Sequence, residues 1–527
     1  MLTRKNILLA TFGAAVAVRA AFAGLVSSSL FRYYHHVPGL DMQTLLRFSE
    51  WQSGSPDAIP FFSPHRILLF LDFLLHGNAR HVWSIFAVQA LLGALGCAAV
   101  ADLALTLTGK RRGALLTGVL AALYLPSLIY EFSVLQDSFA MNLTLFAVWG
   151  TVRASGRKFA PGAAALCAVL WSLALAGRPT ALLCAAGFGV WALLRLWRQK
   201  RLKRALLPVA LLAILLAAFG GFNRRYGWNF SPFYPVVRYT RISNSADENA
   251  PAPMRQVALN AVRRAPRLLA AYEVPENHNL YFWCEKLPIL HLLPAPGALL
   301  PCACAALAIL LVSGAWKQRG FWVIALPLLT LALPLCARTV IGRYRLMLTP
   351  YLFLAVAAGW YAYFRLSPFR RGLAALAGGA AAVVSAHACS PLPRVRAEDH
   401  HAWALAKKAE PGATKKEILD AFDVYWRAAN HRSAKAFRAT VDQALDLGDL
   451  ARAQTVVDQA YRNGISPDLV AYYHGWIFVL GNRPERVAEI YARIDPQKLP
   501  PELRKDFFRI RDDTRKLLQK RGKGSIL

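Results

Sequence analysis

Leu103-Ala104-Leu105-Thr106-Leu107-Thr108-Gly109-Lys110-Arg111-Arg112-Gly113-Ala114-Leu115-Leu116 joins the tail of one apolar run to the head of the next through three consecutive cations. A helix needs about 20 apolar residues to cross a bilayer, and short loops rich in Lys and Arg stay on the cytoplasmic side. The stretch therefore predicts two membrane helices joined by an inner loop. The same unit recurs along the chain, with apolar windows near 82–108, 113–130, 138–152, 161–176, 180–196, 204–221, 293–314, 320–336, 346–364 and 372–388. The run from Arg4-Lys5 to about Leu30 adds one more, for about eleven spans. Ala21-Phe22-Ala23 would also suit a signal-peptide cleavage site, but Arg19 interrupts the run and many spans follow, so a retained helix is expected.

Composition agrees. Of 527 residues 56% are hydrophobic and only 17% charged, which is too apolar for a soluble protein of this length. The net charge of +32 invites a nucleic-acid reading. Its placement answers otherwise, because Lys110–Arg112, Arg153 with Arg157-Lys158, Arg195 to Arg204, Lys317 with Arg319, and Arg365 with Arg370-Arg371 all fall in alternate short loops. No nucleic-acid partner is needed. Six cysteines (Cys97, Cys167, Cys184, Cys302, Cys304, Cys336) sit in apolar windows, Cys284 and Cys389 in loops, and no CxxC pair occurs. The expected fold is an all-α polytopic membrane protein with helices in its outer loops. Residues 1–390 form the membrane domain, with outer loops 31–81 and 222–292, and residues 391–527 form an outer helical domain.

The polar chemistry gathers on the outer side. Asp41 opens the amphipathic stretch Met42–Trp51 just beyond the first span, placed either to act as a general base or to cap the helix that follows. Glu131 and Asp137 stand at the junction of two spans, where Asp137 is also a plain dipole partner for the helix it begins. Arg338, Arg343 and Arg345 crowd a short outer turn against the charge rule, and Arg178 is similar. Such arginines either snorkel toward headgroups or bind a phosphate, which their planar donor fork matches. A base, supporting acids and an arginine cluster are what an enzyme needs to move a sugar from a lipid phosphate to a hydroxyl or amine.

The order of these stretches resembles the GT-C superfamily of membrane glycosyltransferases, near the branch of protein O-mannosyltransferases and bacterial aminoarabinose transferases. The matching pieces are Leu40-Asp41 with Met42–Trp51, Phe62-Ser63-Pro64-His65-Arg66, Tyr130–Asp137, Ala176-Gly177-Arg178-Pro179-Thr180 and Gly342-Arg343-Tyr344-Arg345-Leu346 leading to Pro350. The loop Tyr272-Glu273-Val274-Pro275-Glu276-Asn277-His278-Asn279-Leu280-Tyr281-Phe282 is similar to that of bacterial members. The resemblance covers about residues 1–390. It implies Asp41 as the catalytic base, a polyprenyl-phosphate (undecaprenyl-phosphate) sugar as donor, and Arg343, Arg345 and Arg178 as contacts to the lipid phosphate. It also implies a bacterial inner membrane with a periplasmic protein, lipid or glycan as acceptor. Many eukaryotic mannosyltransferases carry an Asp-Glu pair where Asp41 is followed by Met42, which leaves sugar and acceptor open.

In the loop 222–292, Asn223–Tyr239, Ser243–Pro253 and the basic helix-like piece Met254–Tyr272 precede Glu273, Asn277 and Asn279, which would line an acceptor groove or merely cover the site. His35-His36 and His400-His401 lack a third ligand at useful spacing, so the sequence supports no cofactor, and the resemblance, to a family with both metal-independent and metal-binding members, leaves a divalent metal open. Beyond about Ala388 the chain turns polar. Ala444–Ala453 and Val479–Ala488 echo each other, with Gly448 and Gly481 about one tetratricopeptide period apart. That predicts either a small repeat domain or a packing cap. The competing function is a non-catalytic scaffold or transporter with an outer interaction domain. A transporter should carry charge at mid-membrane, and apart from Arg19, Asp102 and a few cases near span ends the apolar windows carry none.

Overall fold

The computed structural model describes residues 3–49, 65, 68, 82–155, 161–225, 254–338, 340–388 and 395–521. Most of the loop 31–81, including Phe62–Pro64 and Arg66, residues 226–253 and the side chain of Arg338 lie outside the described residues. Every regular element among the described residues is a helix, and the chain forms two compact units. One comprises Met1–Ser28 with Gly39–Arg394, and the other Ser29–Pro38 with Val395–Leu527.

In the first unit each expected window is helical, with 113–130 broken into two helices. The helices are α1 (Arg4–Ser27), the short α2 (Asp41–Ser49), α3 (Trp83–Thr108), α4 (Arg111–Leu123), α5 (Leu125–Glu131), α6 (Asp137–Ala154), α7 (Pro161–Gly177), α8 (Leu182–Arg198) and α9 (Leu206–Arg225). After the loop helices α10 (Met254–Leu269) and α11 (Leu280–Lys286) come α12 (Pro296–Val312), α13 (Arg319–Arg338), the single turn α14 (Gly342–Arg345), α15 (Thr349–Tyr363) and α16 (Pro368–His387). Among the described residues six segments are long and apolar enough to cross a membrane outright, and α4 with α5, taken as one bent span, makes a seventh. The other windows, α6, α7, α8 and α16, are helices that are shorter or less apolar. The chain is an all-α, multi-pass membrane protein.

Local chemistry sets the breaks. α3 stops where Gly109 takes a left-handed φ of 67° and returns its N–H to Leu105 O at 2.8 Å. α4 and α5 meet at 52°, with Pro126 near the start of α5, where its missing N–H costs nothing. All seven residues of α5 are buried. Between α12 and α15 the helices touch at Gly359, where a Cβ would lie 2.6–2.8 Å from Ala306 atoms, including its backbone. Such close approach is how membrane helices gain dispersion energy when lipid removes the hydrophobic drive. At the end carrying the Lys/Arg loops, Asp102 is buried and gathers Arg4 (two bonds of 2.8 Å), Arg153 and the Trp149 indole N–H at 2.8 Å.

The second unit runs α17 (Ala397–Ala409), α18 (Lys415–Ala428), α19 (Ala434–Asp446), α20 (Leu450–Arg462), α21 (Pro467–Leu480), α22 (Pro484–Tyr491) and α23 (Pro501–Lys520), each packed on the next. Side chains cap several starts: Thr414 and Glu417 reciprocally, Ser433 and Asp449 singly. The core includes Trp426, Phe437, Tyr472, Tyr473, Tyr491 and Phe507. A left-handed turn residue precedes α20 at Gly448 (φ 76°) and α22 at Asn482 (φ 54°), one position beyond Gly481. The short 3-10 helix Leu30–His36 packs on α17, with Leu30, Phe31, Tyr34 and Val37 buried. The N-terminal part of the expected loop 31–81 thus belongs to this second unit.

Candidate active site

The end of the first unit opposite the Lys/Arg loops collects acids and arginines from five places in the chain. Asp41 is the first residue of α2 and its side chain is 56% exposed. Its backbone N–H donates to Asn277 Oδ1 at 3.0 Å, and Asn277 Nδ2 donates back to Asp41 Oδ2 at 3.2 Å. Arg343 Nη1 reaches the same Oδ2 at 2.6 Å. Among the described residues nothing engages Oδ1. The described contacts of the carboxylate run to α14 and the 273–279 loop, so Asp41 sits in the favourable first turn of α2 without capping it.

Arg343 is 11% exposed and shared. Its Nε lies 2.5 Å from Glu276 Oε2, and its Nη2 donates to Glu276 Oε1 at 3.0 Å and to the Tyr344 hydroxyl at 3.2 Å. Burial pushes the Glu276 carboxyl up, against the pull of Arg343. Arg178, at the end of α7, pairs with Asp137 at the start of α6. Both Arg178 and Arg343 lie against the Tyr344 ring, at 4.5 and 4.9 Å from its centroid. Two guanidiniums thus flank one aromatic ring beside Asp41. Cations this close repel unless anions offset them, and Asp137, Glu276 and Asp41 supply that charge.

The remaining expected site residues go elsewhere. Arg345 is buried: its Nη1 donates to Arg267 O at 3.0 Å and Ala270 O at 2.8 Å, and its Nη2 to Glu273 Oε2 at 2.8 Å. It caps the end of α10 rather than facing the Asp41 cluster. Gly342 permits this pairing, because a Cβ there would lie 2.1 Å from Glu273 Oε1. Asn279 accepts the N–H groups of Tyr281 and Phe282 and so starts α11. Of the three loop residues expected to line an acceptor groove, Glu273 balances Arg345, Asn279 caps a helix, and Asn277 alone touches Asp41. Glu131 stands apart too, fully buried with Oε1 2.7 Å from Arg19 Nη2 between α1, α3 and α5. There it is the counter-ion of Arg19.

Three contributors carried no role from sequence alone. Glu276 and Tyr344 lie inside the quoted stretches, but nothing in their spacing reveals that they share Arg343. Gln89 on α3 holds the turn between α5 and α6: its Nε2 donates to Ser133 O at 2.8 Å and Glu131 O at 3.3 Å, and Ser138 Oγ donates to its Oε1 at 2.7 Å. That fixes the backbone beside Asp137. His278, outside the spans, is pulled down to about 3 by burial, and its Nδ1 accepts the Trp283 indole N–H at 3.3 Å, so its ring is neutral. Among the described residues no three His, Cys, Asp or Glu side chains come together as metal ligands.

Fold and site together define a multi-pass membrane protein with an acid–arginine cluster at one end of its helices. No family model matches the chain, and no curated protein matches it. Among solved structures the chain is similar to ArnT from Cupriavidus metallidurans bound to undecaprenyl phosphate, at 16% identity over 92% of this chain and 81% of that one, with a TM-score of 0.41. It is also similar to the apo state of the same protein, at 19% identity over 92% and 80%, with a TM-score of 0.40.

Proposed function

We propose that the protein is a GT-C-type glycosyltransferase of a bacterial inner membrane. It moves a sugar from a polyprenyl phosphate to a periplasmic hydroxyl or amine. The observation that carries the reading is the two-sided environment of Asp41. One carboxylate oxygen, Oδ2, is held by Arg343 and Asn277, while Oδ1 has no partner among the described residues and the side chain is half exposed. An anchored carboxylate with one open oxygen suits a general base, since its direction is set and its lone pair available.

In this reading Oδ1 takes the proton of the acceptor O–H or N–H. The freed lone pair attacks the anomeric carbon, and the bond from that carbon to the donor phosphate oxygen breaks. Charge then grows on the departing lipid phosphate, and Arg343 with Arg178 supplies the compensating field from the Tyr344 ring. Arg345 has no part in this step. The Lys/Arg loops at the opposite end support an orientation with the cluster in the periplasm.

The test is the transfer rate of Asp41→Asn at saturating undecaprenyl-phosphate-linked donor, with thermal stability as control. Asn keeps the size and the contacts to Asn277 but removes the proton acceptor. Turnover should fall about 100- to 10,000-fold, with unfolding near the parent's. Near-parental turnover removes Asp41 from the chemistry and leaves the Asp41–Arg343–Glu276 contacts the structural role of tying α2 to the loop.

A further inference from the structure

Helix α10 has no part in that reaction, and the following inference stands whether or not the reaction is as proposed. One face of α10, with Ala261 and Leu268, packs on the helix bundle, α13 included. The opposite face is open among the described residues. Leu259 (42%), Val262 (72%) and Leu269 (44%) recur there at one-face helical spacing, with Arg255, Arg263 and Arg267 exposed around them. An apolar stripe rimmed by arginines is poorly suited to water on both counts.

This helix is tied at the ends of the spans α13 and α15 and at the end of α16. Arg264 lies within electrostatic reach of Cys336 near the end of α13. Arg345, in the turn before α15, holds the Arg267 and Ala270 carbonyls. Ser385 in the last turn of α16 donates its hydroxyl to Leu269 O at 2.5 Å and accepts the Ala271 N–H at 2.9 Å. Where spans end, hydrocarbon gives way to headgroups. A helix tied there with an open apolar stripe meets acyl chains on that stripe and lipid phosphates at its rim.

We propose that α10 is a membrane-surface helix that inserts Leu259, Val262 and Leu269 below the headgroups and binds anionic lipid phosphates through Arg255, Arg263 and Arg267. Anionic lipid is the chosen occupant because the rim is cationic and the height is that of headgroups. Hydrogen exchange of the full chain tests it in detergent, in zwitterionic nanodiscs and in nanodiscs rich in phosphatidylglycerol. Amides of α10 should exchange more slowly in either disc than in detergent, and about ten-fold more slowly again with phosphatidylglycerol, while α3 stays unchanged. The triple variant Arg255→Gln/Arg263→Gln/Arg267→Gln should lose the phosphatidylglycerol increment, and Val262→Asp should lose protection in both discs. Equal exchange in all three media overturns the proposal. So does protection that appears only on adding undecaprenyl phosphate, which would make α10 a cover for the donor.

Discussion

Arg343 and Arg345 are two residues apart, and their guanidiniums serve different ends. A helical turn points them to different sides, so Arg343 meets Asp41 and Glu276 while Arg345 turns to α10 and Glu273. The Arg345–Glu273 pair is 6% and 7% exposed. Breaking a buried pair by removing one partner strands the other charge, typically at about 3–5 kcal/mol, whereas replacing both by apolar groups is far milder. Arg345→Met should therefore lower the unfolding temperature sharply, and Arg345→Met/Glu273→Leu should regain most of it. Arg345→Lys should recover little, because one ammonium cannot reach Arg267 O, Ala270 O and Glu273 in the fork's geometry. Thermal unfolding in detergent reads this out. If Arg345→Met instead unfolds like the parent and loses only undecaprenyl phosphate binding, the residue touches the donor, as the sequence alone suggested. That suggestion was reasonable, since basic residues against the charge rule were visible in the chain. The contacts were not: Asp41 meets Arg343 and Asn277 from far along the chain, 236 positions away in the case of Asn277, and no periodicity links them.

At the scale of elements, apolar runs and basic turns were enough to place the helices, because each span's burial in lipid is a property of its own composition. Their packing partners were less legible, since apolar helices look alike from every side. Gly359 illustrates this. Its position in α15 is unremarkable in sequence, yet α12 approaches so closely there that a methyl group would meet Ala306 backbone. Gly13 in α1 offers the contrast, with nothing within 4 Å of its ideal Cβ. In an exposed helix Gly→Ala gains up to about 1 kcal/mol, so Gly13→Ala should be neutral or stabilising. Gly359→Ala must push two helices apart, and overpacking of this kind costs about 1–3 kcal/mol. Comparing the two variants by thermal unfolding isolates the contact. Equal midpoints would mean that α12 and α15 separate without cost and that their contact contributes nothing to the bundle.

Across the whole molecule the chain divides into two units, and the membership of Ser29–Pro38 in the second was not legible in the sequence. That segment directly follows α1, and proximity in the chain argued for the membrane unit. Its side chains answer otherwise: Leu30, Phe31, Tyr34 and Val37 are buried, the segment packs on α17, and the Tyr34 hydroxyl donates to Asp399 O at 3.4 Å. Burying each large apolar side chain is worth roughly 1.5–3 kcal/mol before chain ordering is subtracted, and such area-based figures are upper bounds. A fragment spanning 395–527 carries its own core and should be helical and cooperative in isolation. It should also expose the surface that 29–38 covers. Fusing 29–38 through a flexible linker should raise its stability by on the order of a few kcal/mol, since tethering removes most of the association cost. The same fusion with Phe31→Ala and Tyr34→Ala should move the midpoint back toward that of the bare fragment, because both rings are buried. Identical denaturant midpoints for bare, fused and doubly substituted fragments would show that the segment contributes nothing to this fold. In that case the second unit begins only at Val395.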